Sequence, residues 1–314
     1  LEKQIHKFSQ PDETWAIWDI KSHEDFLSRF MVKGRFHKNV PEEISKEYEI
    51  VERLIYYSFY CYPLIDEAFS KATRLFEAGV KIRLNQLAIT CNGKYESLKS
   101  KLEKLGKHTS VDFYKEWDKA REVRNIFAHP EAGRLMGITV YRSFLQMVNI
   151  LNTLFLDKEI VESNENHLIK LKKQTEKFKR KLFILELDSK RFLVWSIIPY
   201  SFFGTGNKAK SFWFFHPVLT SFPQTTDKIN FDIPIFLRLT DVKITDSGIR
   251  GTDLISKRVV KAYKTMDAAN FKLYETHKLL RSSSDIAVKN LYLKFIEEEL
   301  AYEIVKFLYF ECWD

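Results

Sequence analysis

Arg121-Glu122-Val123-Arg124-Asn125-Ile126-Phe127-Ala128-His129-Pro130 is the stretch on which the reading of this 314-residue chain turns. Set on a helix at about 100° per residue with Phe113 at zero, Trp117 falls at about +40°, Ala120 at about −20°, Phe127 at about −40° and Ala128 at about +60°. Arg124 falls at about +20°, in the middle of that apolar stripe. A guanidinium there must find a counter-charge or face a cleft, because an unpaired buried charge is very costly. Pro130 disfavours helical geometry at His129, so the helix is expected to end near 128–129. That exit frees the imidazole to swing back toward Arg124, from which an unbroken helix would separate it by about 140°. The negative helix end beside it favours the protonated form.

Outward from this stretch the pattern is helical on both sides. Asn39-Val40-Pro41-Glu42-Glu43 reads as a helix start, with Asn39 as the cap, an early proline and acids in the first turn. This helix is expected to run to about Tyr60, where Pro63 breaks it. Leu64, Ala68, Phe69, Ala72, Leu75, Phe76 and Val80 recur at helical spacing in the next, opposite Asp66, Glu67, Ser70, Lys71 and Arg74. Asn92-Gly93 is a turn signal, followed by a short charged helix near 94–105. Ser110 or Asp112 caps the motif helix. Beyond Pro130 and Gly133, the segment 135–156 reads as a buried helix, with Tyr141, Phe144, Leu145, Val148, Leu151 and Phe155 three and four apart. Consecutive helices with short links describe a bundle.

The character changes after residue 157. Lys170 to Lys181 holds seven Lys and Arg and one Glu. Segments rich in Ile, Val, Phe and Trp follow at 182–187, 192–198, 212–215 and 233–244, separated by turn residues, and read as strands. From about Asp253 the pattern is helical again, with Tyr292, Phe295, Leu300, Ile304 and Leu308 as core positions. The expected class is α+β: an all-α bundle, then a mixed part with a small β-sheet and C-terminal helices. The divisions are a lead-in over 1–40, the helical domain over 41–157, a basic helix or linker over 158–181 and a mixed domain over 182–314.

Composition narrows the function classes. Hydrophobic residues make up 45% and aromatics 15%, enough for a real core, and ten Gly with eight Pro exclude collagen-like or low-complexity chains. No stretch approaches 18 uncharged apolar residues, so no membrane span is expected, and the first residues lack a signal-peptide pattern. Cys61, Cys91 and Cys312 are odd in number and far apart, which argues against a disulfide framework or a Cys-based zinc site and makes the cytoplasm the default compartment. Lys and Arg total 50 against 42 Asp and Glu, for a net charge of +8. The excess is uneven: residues 1–157 carry 24 against 22, and the remainder 26 against 20. This balance admits a polyanionic partner without requiring one.

A charge-neutralising Arg beside a titratable His suits phosphodiester chemistry. The His can move a proton near neutral pH, and the Arg can offset the charge growing on a pentacoordinate phosphate. That scheme calls for no metal and no cofactor. An Arg followed by a polar residue, with His after four to six positions, resembles the motif of the HEPN family (higher eukaryotes and prokaryotes nucleotide-binding domains). Arg124-Asn125-Ile126-Phe127-Ala128-His129-Pro130 looks like its bacterial members, and the order of helices over about 41–157 is similar. The resemblance implies a metal-independent endoribonuclease whose site forms between two such domains, with Arg124 and His129 catalytic. It equally implies relatives that bind RNA, nucleotides or proteins without cutting, and roles in toxin–antitoxin pairs, with a cognate antitoxin as partner, or in phage defence.

The remaining candidates carry a plainer reading beside the functional one. Arg121 either widens a phosphate patch or pairs with Asp118 or Glu122 as a solvated Arg. Asn125 either orients the Arg or the phosphate, or is an ordinary polar residue. Lys170, Lys172, Lys173, Lys177 and Lys179 either track an RNA backbone or form a solvated helix face. Gly204-Thr205-Gly206-Asn207-Lys208 lacks the spacing of a phosphate loop and reads as a hairpin turn. His216 has no neighbouring ligand residues and reads as a satisfied structural histidine, and no two histidines share metal-binding spacing with a carboxylate. Tyr56, Tyr57, Phe59, Tyr60 and Tyr62 read as core rather than as a base-stacking surface.

Only one Arg–His motif occurs, so a paired site needs two chains, and the expected assembly is a homodimer with Arg124 and His129 near its two-fold axis. Light scattering at working concentration should return twice the mass of one chain. A monomeric mass with activity intact contradicts the expectation.

Overall fold

Trp15 anchors the beginning of the chain in the computed structural model, which describes residues 8–91, 96–128, 137–204, 206–226, 231–232 and 234–313. It sits in a 3-10 turn over Glu13–Trp18 and donates its indole N–H to the carbonyl of Ser58 at 2.9 Å. Its ring meets Phe26 and Tyr62 edge-on, with centroids 4.7 and 4.8 Å apart. Phe26 lies on α1 (His23–Phe30), whose first turn is capped by the Ser22 hydroxyl accepting the amide of Asp25.

Prolines set the entries of the next two helices, α2 (Glu42–Ser58) and α3 (Leu64–Gln86), because each removes an amide that a first turn leaves unpaired anyway. Asn39 is not the cap of α2. Its side-chain amide instead donates to Asp157 at 3.0 Å, and Pro41 occupies the cap position with no side-chain bond. The apolar stripe of α3, from Ala68 through Phe76 to Val80, is buried. A short α4 (Leu98–Leu105) is capped by Ser97, and α5 (Val111–Ala128) by the Ser110 hydroxyl, which accepts the amide of Phe113 at 3.1 Å.

The helix α6 (Tyr141–Leu154) is buried nearly all round, and its polar residues are consumed by that position. Asn152 donates to the carbonyl of Arg35 at 2.7 Å and accepts the amide of His37 at 3.0 Å, fixing an extended strip that has no helix or strand of its own. Thr153 accepts the Trp117 indole of α5 at 2.9 Å, and Asn149 accepts that of Trp313 at 2.6 Å. Each bond satisfies a group whose burial would otherwise cost about 1–3 kcal/mol.

The chain divides into two compact units, Leu1–Val161 with Trp313–Asp314, and Glu162–Cys312. The boundary falls in the first turn of α7 (Lys158–Thr175). The second unit is built on six strands: β1 (Phe183–Leu187), β2 (Lys190–Phe203), β3 (Lys210–Pro217), β4 (Ile235–Ile244), β5 (Gly248–Asp253) and β6 (Val259–Lys264). All neighbours are antiparallel, and β1 pairs with β6, so the sheet closes into a barrel. Two helices follow, α8 (Ala268–Ser283) and α9 (Ile286–Glu311).

The architecture is thus α+β, a helical region followed by a six-stranded antiparallel barrel and two C-terminal helices. The closed barrel replaces the small sheet expected from the sequence, and the C-terminal part differs from that reading in two further details. The helical stretch begins at Ala268 rather than near Asp253, because Val259–Lys264 is a strand. On α9 the buried positions are Val288, Tyr292, Phe307 and Tyr309; Phe295, Leu300, Ile304 and Leu308 are only half-buried.

Inside the barrel, Phe183, Leu185, Ile197, Trp213, Phe215, Leu239, Ile249 and Val260 form one cluster. The run Phe212-Trp213-Phe214-Phe215 does not alternate, because β3 is covered on both faces. Phe307 of α9 lies 5.8 Å from Phe212 outside the barrel. Arg238 on β4 ties that helix down through Glu303 at 3.3 Å and Glu311 at 3.4 Å. Pro199, which lacks a ladder amide, stands where the β2–β3 register shifts.

Gly248 opens β5 at φ +156°, and a Cβ there would sit 1.9 Å from the carbonyl oxygen of Ala262 on β6. Gly248→Ala should therefore prise apart the β5–β6 pairing and cost on the order of 2–3 kcal/mol in a denaturant titration. A neutral substitution contradicts this account of the closure.

Candidate active site

Arg124 leaves the apolar stripe of α5 for the side. Its side chain is 31% exposed, and its guanidinium donates to Glu77 on α3 at 2.6 Å. Sequence reasoning required a counter-charge or a cleft, and the structure supplies both. Glu77 was not singled out in the sequence. On the α3 wheel it stands one residue after Phe76 on the polar side, and only the folded helix pair reveals its role.

Glu77 also accepts Lys81 of its own helix at 3.0 Å. Burial alone would raise its carboxyl, but the hydrogen bonds from Lys81 and Arg124 outweigh it and hold the group below the ordinary carboxylate range. Asn125 accepts a long hydrogen bond from Arg124 at 3.4 Å. Arg121, one turn earlier, pairs with Asp118 at 2.6 Å and Glu122 at 3.4 Å. Its guanidinium is held above its already high ordinary pKa, chiefly by the Asp118 hydrogen bond, and stays charged.

These groups face one cavity of about 230 Å³, large enough for a phosphate and part of a sugar, lined by Glu77, Arg121, Arg124 and Asn125 from two helices and by Lys99 and Lys101 from α4. Lys99 is exposed and Lys101 half-buried, and neither takes an ion pair among the described residues. Four cations against Glu77 and Glu96 leave the cavity positive, and Glu96 is already engaged by Lys104 at 2.8 Å. Such a surface offers multidentate N–H donors to a phosphate. His129, the expected proton carrier, lies outside the described residues.

The basic segment is placed differently. Lys170, Lys172 and Lys173 are exposed on α7, and Lys177 and Lys179 are exposed just beyond it. Lys177 pairs with Asp246 in the β4–β5 turn at 2.8 Å and Lys179 with Glu176 at 3.4 Å. All five stand in the second unit, whereas Arg121, Arg124 and Asn125 stand in the first.

His216 departs from its expected satisfied state. Its Nε2 is buried without a hydrogen-bond partner among the described residues, and its ring lies against Phe214 and Trp195. Burial, reinforced by the nearby Arg281, lowers it to about 4, so it is neutral at physiological pH. Tyr56 and Tyr57 are exposed while Phe59 is buried, so the aromatic group at the end of α2 is core only in part. No helix among the described residues is long and apolar enough to cross a membrane. Comparison with protein-family models, curated proteins and solved structures returned no match.

A carboxyl depressed by folding contributes stability that is present above its unfolded value, about 4.5, and is lost as pH falls through its folded value. Glu77→Gln should cost about 1 kcal/mol at neutral pH, a half-exposed ion pair being worth little more. It should also shrink the loss of stability between pH 5 and pH 3. Urea titrations at both pH values check this, and equal acid losses in wild type and variant contradict it.

Proposed function

We propose that the first unit is a metal-independent endoribonuclease of HEPN type, working in the cytoplasm as a homodimer. The observation that supports this best is the placement of Arg124: the Arg of the motif leaves an apolar helix face for a positive cavity of phosphate size. In this reading the 2′-hydroxyl beside the scissile phosphate attacks the phosphorus. His129, or its copy across the dimer, takes that proton or protonates the leaving 5′-oxygen. Arg124 offsets the charge on the non-bridging oxygens, Asn125 orients its guanidinium, and Arg121, Lys99 and Lys101 hold flanking phosphates. A role in phage defence or stress response, with an antitoxin or other regulator as partner, accords with the resemblance.

One observation favours a second reading, a module that binds RNA or a protein without cutting. Glu77 already neutralises Arg124, and an Arg so engaged positions a phosphate better than it stabilises new charge on it.

An RNA-cleavage assay separates the two. A positioned acid or base contributes roughly 10²–10⁴-fold and a charge-stabilising donor roughly 10²–10³-fold. His129→Ala and Arg124→Ala should each nearly abolish cutting while the chain still folds. Cutting should survive EDTA, leave 5′-hydroxyl and 2′,3′-cyclic phosphate ends, and stop at a 2′-deoxy nucleotide. Comparable cleavage of the deoxy substrate sinks the mechanism, and binding without any cleavage selects the second reading.

A further inference from the structure

Strand register places three cations side by side on the outside of the barrel. Lys243 on β4 is directly opposite Arg250 on β5, and Arg250 is directly opposite Lys261 on β6. Directly opposed residues of antiparallel strands project from the same face, here the outer one, because the next row, Ile244, Ile249 and Ala262, packs inward on the barrel core. All three cations are exposed. At about 4.8 Å between strands the row follows the wall for about 10 Å.

Like charges directly opposite one another destabilise a sheet. The usual remedy is an interleaved acid, and here the neighbouring acids are engaged elsewhere. Glu186 on β1, in register with Lys261, is held by Arg191 at 2.9 Å and accepts the Tyr263 hydroxyl at 3.1 Å. Asp246 in the β4–β5 turn is taken by Lys177. Asp188 is taken by Arg258 at 2.7 Å, and Asp241, set off from Lys243 by a register shift, accepts the Thr240 hydroxyl. None of the three takes an ion pair among the described residues.

We propose that the Lys243–Arg250–Lys261 row is a binding surface for the phosphodiester backbone of single-stranded RNA. For the choice of RNA among polyanions it rests on the nuclease reading; the row itself does not. A row of cations that bends with a barrel wall suits a flexible linear polyanion. A flat bilayer meets a convex wall along one line only. Tyr263, 38% exposed and two residues from Lys261 on the same face, offers a ring beside the backbone path.

The test uses the full chain carrying His129→Ala, so that RNA is not consumed, and a labelled 20-nucleotide polyuridine followed by fluorescence anisotropy across a salt series. Each phosphate contact on a single strand contributes about −0.7 to the log–log salt slope. Lys243→Gln, Arg250→Gln and Lys261→Gln together should flatten the slope by about two units and weaken binding on the order of 100-fold at 0.1 M salt. Lys170→Gln, Lys172→Gln and Lys173→Gln serve as a charge-matched comparison and should weaken binding less. Relief of like-charge contact should leave the Tm of the row variant unchanged or higher, and a lower Tm would make these charges structural and overturn the proposal. An unchanged salt slope overturns it even if the wild-type chain cuts RNA. Slope loss in a chain whose wild type never cuts supports the row and removes the nuclease instead. Tighter binding to phosphatidylglycerol vesicles than to the RNA, or equal loss in the comparison variant, also overturns it.

Discussion

A guanidinium cannot rest on the apolar face of a packed helix without a counter-charge, and this constraint shapes the helical unit. Arg124 falls on that face of α5, so α3 must present a carboxylate at the matching height, and Glu77 does so. Trp117, seven residues earlier on α5, points to α6, where Thr153 waits for its indole. One helix therefore makes two directional bonds to two neighbours, and their spacing along α5 fixes its rotation as well as its position. The cavity follows from that rotation, since Arg121 and Asn125 are carried round with Arg124 toward α4.

Much of the helical unit is legible in residue order because its helices announce themselves. Ala68, Phe69, Ala72, Leu75, Phe76 and Val80 repeat at helical spacing and are buried, and Ser110 caps the motif helix as its residue type predicts. The bond of Asn39 to Asp157 was not legible: it joins residues 118 apart, and local propensity favours the cap that Asn39 does not make. Glu77 was hidden for the same reason. A surface acid on a long amphipathic helix looks like any other until a second helix brings an Arg to it.

The barrel was read less completely. β3 and β4 carry aromatic and aliphatic runs that mark strands by composition. The sequence of β5, GIRGTD, has few residues of high strand propensity, and β6, VVKAYK, is short and interrupts its Val259-Val260 pair and Tyr263 with Lys261 and Ala262, while Arg250, Thr252 and Lys261 take outward positions. Their strand character comes from pairing with β4 and β1, a tertiary fact. The number of strands, and hence the change from a small sheet to a closed barrel, turns on these two weak segments. The cations that obscured them are the ones that register then aligns.

Closure has a consequence for recognition. An open sheet offers unpaired amides and carbonyls along its edge, and a partner's extended segment can join as an additional strand through backbone bonds that ignore sequence. With β1 bonded to β6, neither the first nor the last strand of this barrel presents such an edge. Whatever meets its wall must be read by side chains alone, so specificity there can be altered one residue at a time without disturbing a backbone ladder. The same closure denies a second copy of the chain the edge-to-edge route by which open sheets aggregate.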